Sequence, residues 1–168
     1  KLKLRSGHLL FGGVAGYTVF DPEEILKTSP APAIVLTSLS VFNKPVSHTI
    51  DSTIIDAPIG YARSVHLPYE KNMFTLEFAS LDFSPAQKKQ YKYKLEGFDQ
   101  QWINNGVRNS ATYTNLEPGT YTFHVKGTNG EGVWNEAGTS IKIIITPPWW
   151  GTWWFRAGAI IIFIAAFY

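Results

Sequence analysis

Between residues 33 and 146 the chain alternates apolar and polar side chains in short runs, and this period of two restricts its fold more than any other feature. In Tyr121-Thr122-Phe123-His124-Val125-Lys126 the Tyr, Phe and Val share one phase, and the Thr, His and Lys the other. A strand places such phases on opposite faces, whereas a helix of about 3.6 residues per turn would scatter them. Phe74-Thr75-Leu76-Glu77-Phe78 and Tyr91-Lys92-Tyr93-Lys94-Leu95-Glu96 repeat the pattern. With Ile34 to Val41, Val65-His66-Leu67, Ala111-Thr112-Tyr113 and Ile141 to Ile145, the count reaches about seven strands separated by turns. That number and spacing predict an all-β fold, an immunoglobulin- or fibronectin-like antiparallel sandwich. The 14 Gly, 10 Pro and 15% aromatic residues supply its turns and its bulky core.

Two segments refine the prediction. Leu116-Glu117-Pro118-Gly119-Thr120-Tyr121 has the spacing of a corner at which a Tyr hydroxyl bonds back to the nearby backbone, so Tyr121 is expected to close it. Gly127-Thr128-Asn129-Gly130-Glu131-Gly132 should turn the chain into the last strand as a hairpin.

Both ends depart from this pattern. Residues 7 to 20 form two short apolar runs around Gly12-Gly13-Val14-Ala15-Gly16, which reads as a hairpin. A lone hairpin is marginal in water, so it should belong to a larger sheet. Thr28-Ser29-Pro30-Ala31-Pro32 is stiff and unable to continue a ladder, and a boundary is expected there. After Pro147-Pro148 come Trp149, Trp150, Trp153 and Trp154, four of the six Trp, then Arg156 and an uncharged run from Ala157 to Tyr168. Trp favours the membrane interface, and Arg one turn further on can snorkel toward it. A helix over that run would rise only about 18 Å against a hydrocarbon core of about 30 Å, so the segment is expected to be the start of a transmembrane helix. A buried terminal helix or a hydrophobic strand is the alternative. The opening Lys-Leu-Lys-Leu and the single Met, Met73, read as a piece of a longer protein.

Chemistry is harder to find. His8, His48, His66 and His124 stand far apart, and Cys is absent, so no metal-ligand spacing and no disulfide framework appear. His124 is expected to be an exposed strand histidine. The glycines at 12 to 16 lack the Lys-Ser/Thr of a phosphate loop and lead into a strand. Glu96 and Asp99 flank a turn, where such carboxylates are common, and a glycosidase pair would have to face a shared cleft. Trp102 and Trp134 are read as core or corner packing in preference to a sugar-stacking surface. The balance of 15 Lys+Arg against 13 Asp+Glu excludes a strongly basic nucleic-acid binder, so no nucleic acid, cofactor or metal is expected on this chain.

Tyr91 to Trp134 as a whole resembles the triple-tyrosine (Y_Y_Y) domain of bacterial hybrid two-component sensors. The residues that carry the resemblance are Tyr93, Tyr113 and Tyr121, beside Gly97, Trp102, Pro118, Gly119 and Trp134. Gly7 to Phe20 with Asp21-Pro22 is similar to the closing strands of a two-component regulator β-propeller, and Trp149 to Tyr168 to the start of the membrane helix that follows such a domain. The division implied is 1–29 for propeller strands, 30–148 for the Y_Y_Y sandwich and 149–168 for the helix, with Trp149, Trp150, Trp153, Trp154 and Arg156 at the membrane interface.

The resemblance implies a non-catalytic periplasmic relay and dimerisation domain of a glycan sensor anchored in the bacterial inner membrane, coupling sensor propellers to the transmembrane helix, with the glycan bound outside this segment. It implies a homodimer, propeller domains earlier in the same chain and a histidine kinase beyond the membrane. Two rivals from other classes are a membrane-tethered carbohydrate-binding module and an accessory domain of a surface hydrolase. The first would need Trp102 or Trp134 exposed and lined up with polar groups.

Overall fold

The alternating runs form strands, and the phase of each decides what it buries. The structure, a computed structural model, describes residues 2–14, 16–22, 30–83 and 88–166, the side chains at 154, 159, 164 and 166 excepted. The linker residues Thr28 and Ser29 and the last residues of the apolar run, Phe167 and Tyr168, lie outside these. Two compact units are present, Lys1–Pro30 and Ala31–Tyr168.

In the first unit β1 (Leu2–Lys3), β2 (Leu9–Gly13) and β3 (Gly16–Phe20) make an antiparallel sheet in the order β1-β2-β3. The glycine-rich turn joins β2 to β3 with Gly13 opposite Gly16, and Phe11 stacks on Phe20 at 5.6 Å.

The second unit is the expected sandwich. One sheet holds β4 (Ile34–Val41), β5 (Lys44–Pro45), β7 (Phe74–Ser80) and β10 (Ser110–Tyr113), in the order β10-β7-β4-β5. The other holds β6 (Ser64–Pro68), β8 (Tyr91–Glu96), β9 (Ile103–Gly106), β11 (Gly119–Gly127) and β12 (Thr139–Thr146), in the order β6-β12-β11-β8-β9. All seven expected runs are strands. Two more, β5 and β9, lie in stretches without alternation. The pairing is antiparallel except between β6 and β12, which run parallel, with Val65 opposite Ile143 and Leu67 opposite Ile145. Residues 128–138 connect β11 to β12 as a hairpin with a long loop, ordered by the Asn129 and Asn135 side chains.

The inward phases meet between the sheets. Leu76 and Phe78 from one side, and Leu95, Phe123, Val125 and Ile143 from the other, are fully buried. Burying such side chains contributes about 1.5–3 kcal/mol each.

Hydrogen bonds tie the sheets at both ends. At one end the Ser80 N–H donates to the Tyr91 hydroxyl at 3.1 Å, and the Ser80 hydroxyl donates to the Thr128 carbonyl at 2.9 Å. At the other the Tyr113 hydroxyl donates to Asp99 Oδ2 at 2.5 Å. Ile34 pairs with Ser80 at the first end, whereas Ile145 pairs with Gly119 at the second. The chain therefore enters the sandwich at one end and leaves it at the other, where α1 (Trp153–Ala166) follows. Among the described residues no helix is long and apolar enough to cross a membrane.

Candidate functional site

The exit from β12 is built to be stiff. Pro147 and Pro148 follow its last residue, and Pro148 is extended at φ −64° and ψ 151°. A single 3-10 turn, Trp149–Gly151, leads to Thr152, whose N–H and hydroxyl both donate to the Trp149 carbonyl. Arg156 N–H then bonds the Thr152 carbonyl at 3.2 Å, the first turn of α1. Two prolines and a closed turn leave little torsional freedom between sheet and helix.

Rings fasten the turn on both sides. Trp149 meets Phe155 of α1 edge-on at 4.9 Å and Trp150 at 5.5 Å. Trp150 meets Tyr69 edge-on at 6.4 Å, and Tyr69 follows Pro68, the residue paired with Thr146. The parallel β6–β12 ladder thus carries a second connection from the sandwich to the helix start. Trp149, Trp150, Trp153 and Arg156 are exposed, and the side chain of Trp154 lies outside the described residues.

The three family tyrosines are structural in their contacts. Tyr121 forms the expected corner, its hydroxyl donating to the Glu117 carbonyl at 2.9 Å. Gly97, at φ +94°, lies beneath that ring, and a Cβ there would come within 3.1 Å of it. Tyr93 and Tyr113 meet edge to face at 6.0 Å, and both pack on Phe123. Burial raises both their pKa values, and the Asp99 carboxylate raises them further. Asp99 Oδ2 also accepts the Leu95 N–H at 2.7 Å, so this carboxylate fastens a turn.

Trp102 and Trp134 correct the sequence reading. Neither is in the core: Trp102 is 40% exposed and Trp134 half-buried. Both sit with the outward phase of β8 and β11, where Lys92 and Lys126 stand. Lys92 Nζ is 4.3 Å from the centre of the Trp134 ring, and Lys126 Nζ is 4.9 Å from that of Trp102. Each ammonium also pairs with Glu136, at 3.2 and 2.7 Å, and these bonds, Lys126 first, hold the Glu136 pKa below its usual range. His124, on the same face, is 3.1 Å from Glu96 and 6.5 Å from Trp102 in ring centres. The His8 and His66 rings are hydrogen-bonded to Ser6 and Ser64, at 2.9 and 3.1 Å. Among the described residues no three His, Asp or Glu are grouped to hold a metal.

Comparison with known proteins agrees with this architecture. Residues 82–146 match the Y_Y_Y domain. Histidine kinase P4 of Formosa agariphila is 32% identical over 153 residues, 91% of this chain and 11% of that protein. The extracellular domain of BT4673 of B. thetaiotaomicron, described as a hybrid two component system, superposes with a TM-score of 0.64 at 28% identity, over 86% of this chain and 19% of that one. That of BT3049, described likewise, gives 0.56 at 29% identity, over 87% and 19%. The chain therefore spans a fifth or less of the proteins it matches. Tyrosine pattern, sandwich and likenesses together identify residues 82–146 as a Y_Y_Y domain, in a chain similar to the extracellular domains of hybrid two-component systems.

Proposed function

We propose that the chain is a non-catalytic relay in a membrane-bound sensor kinase. It stands outside the inner membrane in the periplasm, coupling preceding propeller domains to a helix that enters the bilayer. In this reading a glycan binds outside the segment and the sensor works as a homodimer. The observation that carries it is the path of the chain. Input and output lie at opposite ends of a sandwich clamped at both, and the output is a proline-stiffened turn held by Tyr69 and Trp150. A displacement at Ile34 then reaches α1 as a movement of one body instead of being absorbed by slack.

The test is made in the full-length sensor. Each residue inserted after Trp154 turns the downstream helix by about 100° and lengthens it by about 1.5 Å. One or two insertions are expected to break or lock glycan-dependent output, and seven to restore the phase nearly. Equal output from every insertion length would make the sandwich a passive tether.

The exposure of Trp102 among Lys92, Lys126, His124 and Glu136 favours a second reading, a membrane-tethered carbohydrate-binding module. Calorimetry of this chain against a panel of oligosaccharides separates the two. The relay reading expects no heat. Micromolar binding lost in Trp102→Ala would replace it with the second.

A further inference from the structure

The end of the sandwich from which α1 leaves collects exposed rings from turns far apart in sequence. Phe42 lies at the tip of the β4–β5 hairpin, Tyr69 after β6, Phe98 after β8, and Trp149 and Trp150 after β12. The register gathers them. Val41 pairs with Phe74 and Phe74 with Tyr113, while Glu96 pairs with Thr122 and Gly119 with Ile145. Phe98 packs edge-on against Tyr113 at 6.0 Å yet is 54% exposed, and Phe42 is 49% exposed.

Phe42 is held there against its own preference. It has φ +48° and Asn43 φ +61°, so both central residues of this turn are left-handed. A bulky side chain rarely adopts that region, and such strain concentrates where a side chain is presented for use. Asn-Gly is the favoured pair for this kind of hairpin turn. Phe in the first place puts a half-exposed ring at the tip of the hairpin instead.

The helix says what covers these rings. Ile160, Ile161 and Ile162 of α1 are all exposed, as suits a helix set in an apolar medium, and only residues 147–152 separate that helix from β12. Trp150, which touches Tyr69, lies three residues before α1, at most about 10 Å along the chain, and the headgroup layer is about 5–7 Å deep on each side of the bilayer. A helix that enters lipid at Trp153 leaves the turns beside it at headgroup depth, where Trp, Tyr and Phe are at home.

We infer that this end of the sandwich rests on the bilayer, with Phe42, Tyr69 and Phe98 seated in the headgroup layer as a collar around Trp149 and Trp150. The inference rests on the proposal that α1 enters the membrane. Exposed Lys44 and Lys71 stand in the rim beside Glu70, a mixed charge set, so the contact depends on rings more than on anionic lipid and should vary little with salt.

The chain has no Cys, so single cysteines can carry an environment-sensitive dye. In the whole chain, reconstituted in vesicles of equal parts phosphatidylcholine and phosphatidylglycerol, the dye is placed at Asn43, Gln100, Ile161 or Ala137, sites that leave every collar ring intact. Quenchers are carried on lipids at headgroup depth or at mid-chain. The headgroup quencher is expected to remove about half the emission at Asn43 and Gln100, and the mid-chain quencher that at Ile161, with Ala137 at the opposite end untouched. Adding Phe42→Ser should return the Asn43 dye to solvent. Quenching at Ile161 with Asn43 and Gln100 as dark to lipid as Ala137 would overturn the collar and leave the anchor standing. No quenching at Ile161 would remove the anchor itself and the collar with it. A blue-shifted Asn43 dye that no lipid quencher reaches would put a protein surface there, and unchanged quenching in Phe42→Ser would deny the ring its part. Either result overturns the inference.

Discussion

Asp99 shows how one carboxylate can fix two sheets. Its Oδ2 accepts the Leu95 N–H within the turn and the Tyr113 hydroxyl from the opposite sheet. The two partners are not equivalent when removed. Tyr113→Phe takes away one hydrogen bond and leaves Asp99 still bonded to the backbone, a loss of about 0.5–1.5 kcal/mol. Asp99→Ala orphans a buried hydroxyl and a backbone N–H together, and should cost about 2–4 kcal/mol by the desolvation of each. Urea midpoints of the single and double variants measure this. The double variant is expected to be no worse than Asp99→Ala and to regain part of its loss, because it removes the hydroxyl that Asp99→Ala leaves buried and unpaired. Additive losses would mean that the two groups do not meet in solution.

At the level of elements, the junction between β12 and α1 divides what the sequence states from what it withholds. The seven runs were legible because burial on one face forces a period of two. β5 and β9 were not, since Lys44-Pro45 and Ile103 to Gly106 hold too few alternating residues to mark a face. The parallel pairing of β6 was illegible for another reason: Val65-His66-Leu67 gives a phase but no direction. Trp102 and Trp134 misled because a large apolar ring was weighed by its bulk, while the Lys92 and Lys126 stems that receive the rings belong to other strands. That Lys92 and Lys126 point outward did follow from the alternation. The stiffness of Pro147-Pro148 was visible, yet the Tyr69–Trp150 contact depends on the parallel ladder and so was not. Both can be tested in the full-length sensor. Pro147-Pro148→Gly-Gly is expected to weaken glycan-dependent output with the sandwich still folded, and Trp150→Ala to weaken it by removing the second fastening. If neither changes a reporter response, the junction transmits nothing.

For the whole molecule, relay function requires that the sandwich yield as one unit, and pH offers a way to ask whether it does. Tyr113 is 6% exposed, and its pKa is raised far above the ordinary 10.0, first by burial and then by its bond to Asp99. Tyr93 is raised in the same direction, again first by burial. The unfolded chain therefore releases these protons at a pH where the folded chain still holds them. Stability is fully present below pH 10 and declines above it, by about 1.4 kcal/mol per pH unit for Tyr113 once the unfolded tyrosine is ionised. At the acid side Glu136 acts oppositely, since its lowered pKa makes its small, solvent-screened contribution fade as pH falls through the carboxylate range. Urea midpoints measured from pH 8 to pH 11 should stay level and then drop past pH 10, with fluorescence and circular dichroism falling together. The Tyr113→Phe chain should start lower and drop less steeply, because one of the two raised hydroxyls is gone. Tyr113 joins the two sheets at the end where the helix begins. If its ionisation loosened only that end, the two probes would separate and the helix would be released before the core. A midpoint unmoved to pH 11 would show that the clamp is open to water in solution, and a sandwich open there could not carry a displacement from Ile34 to the helix.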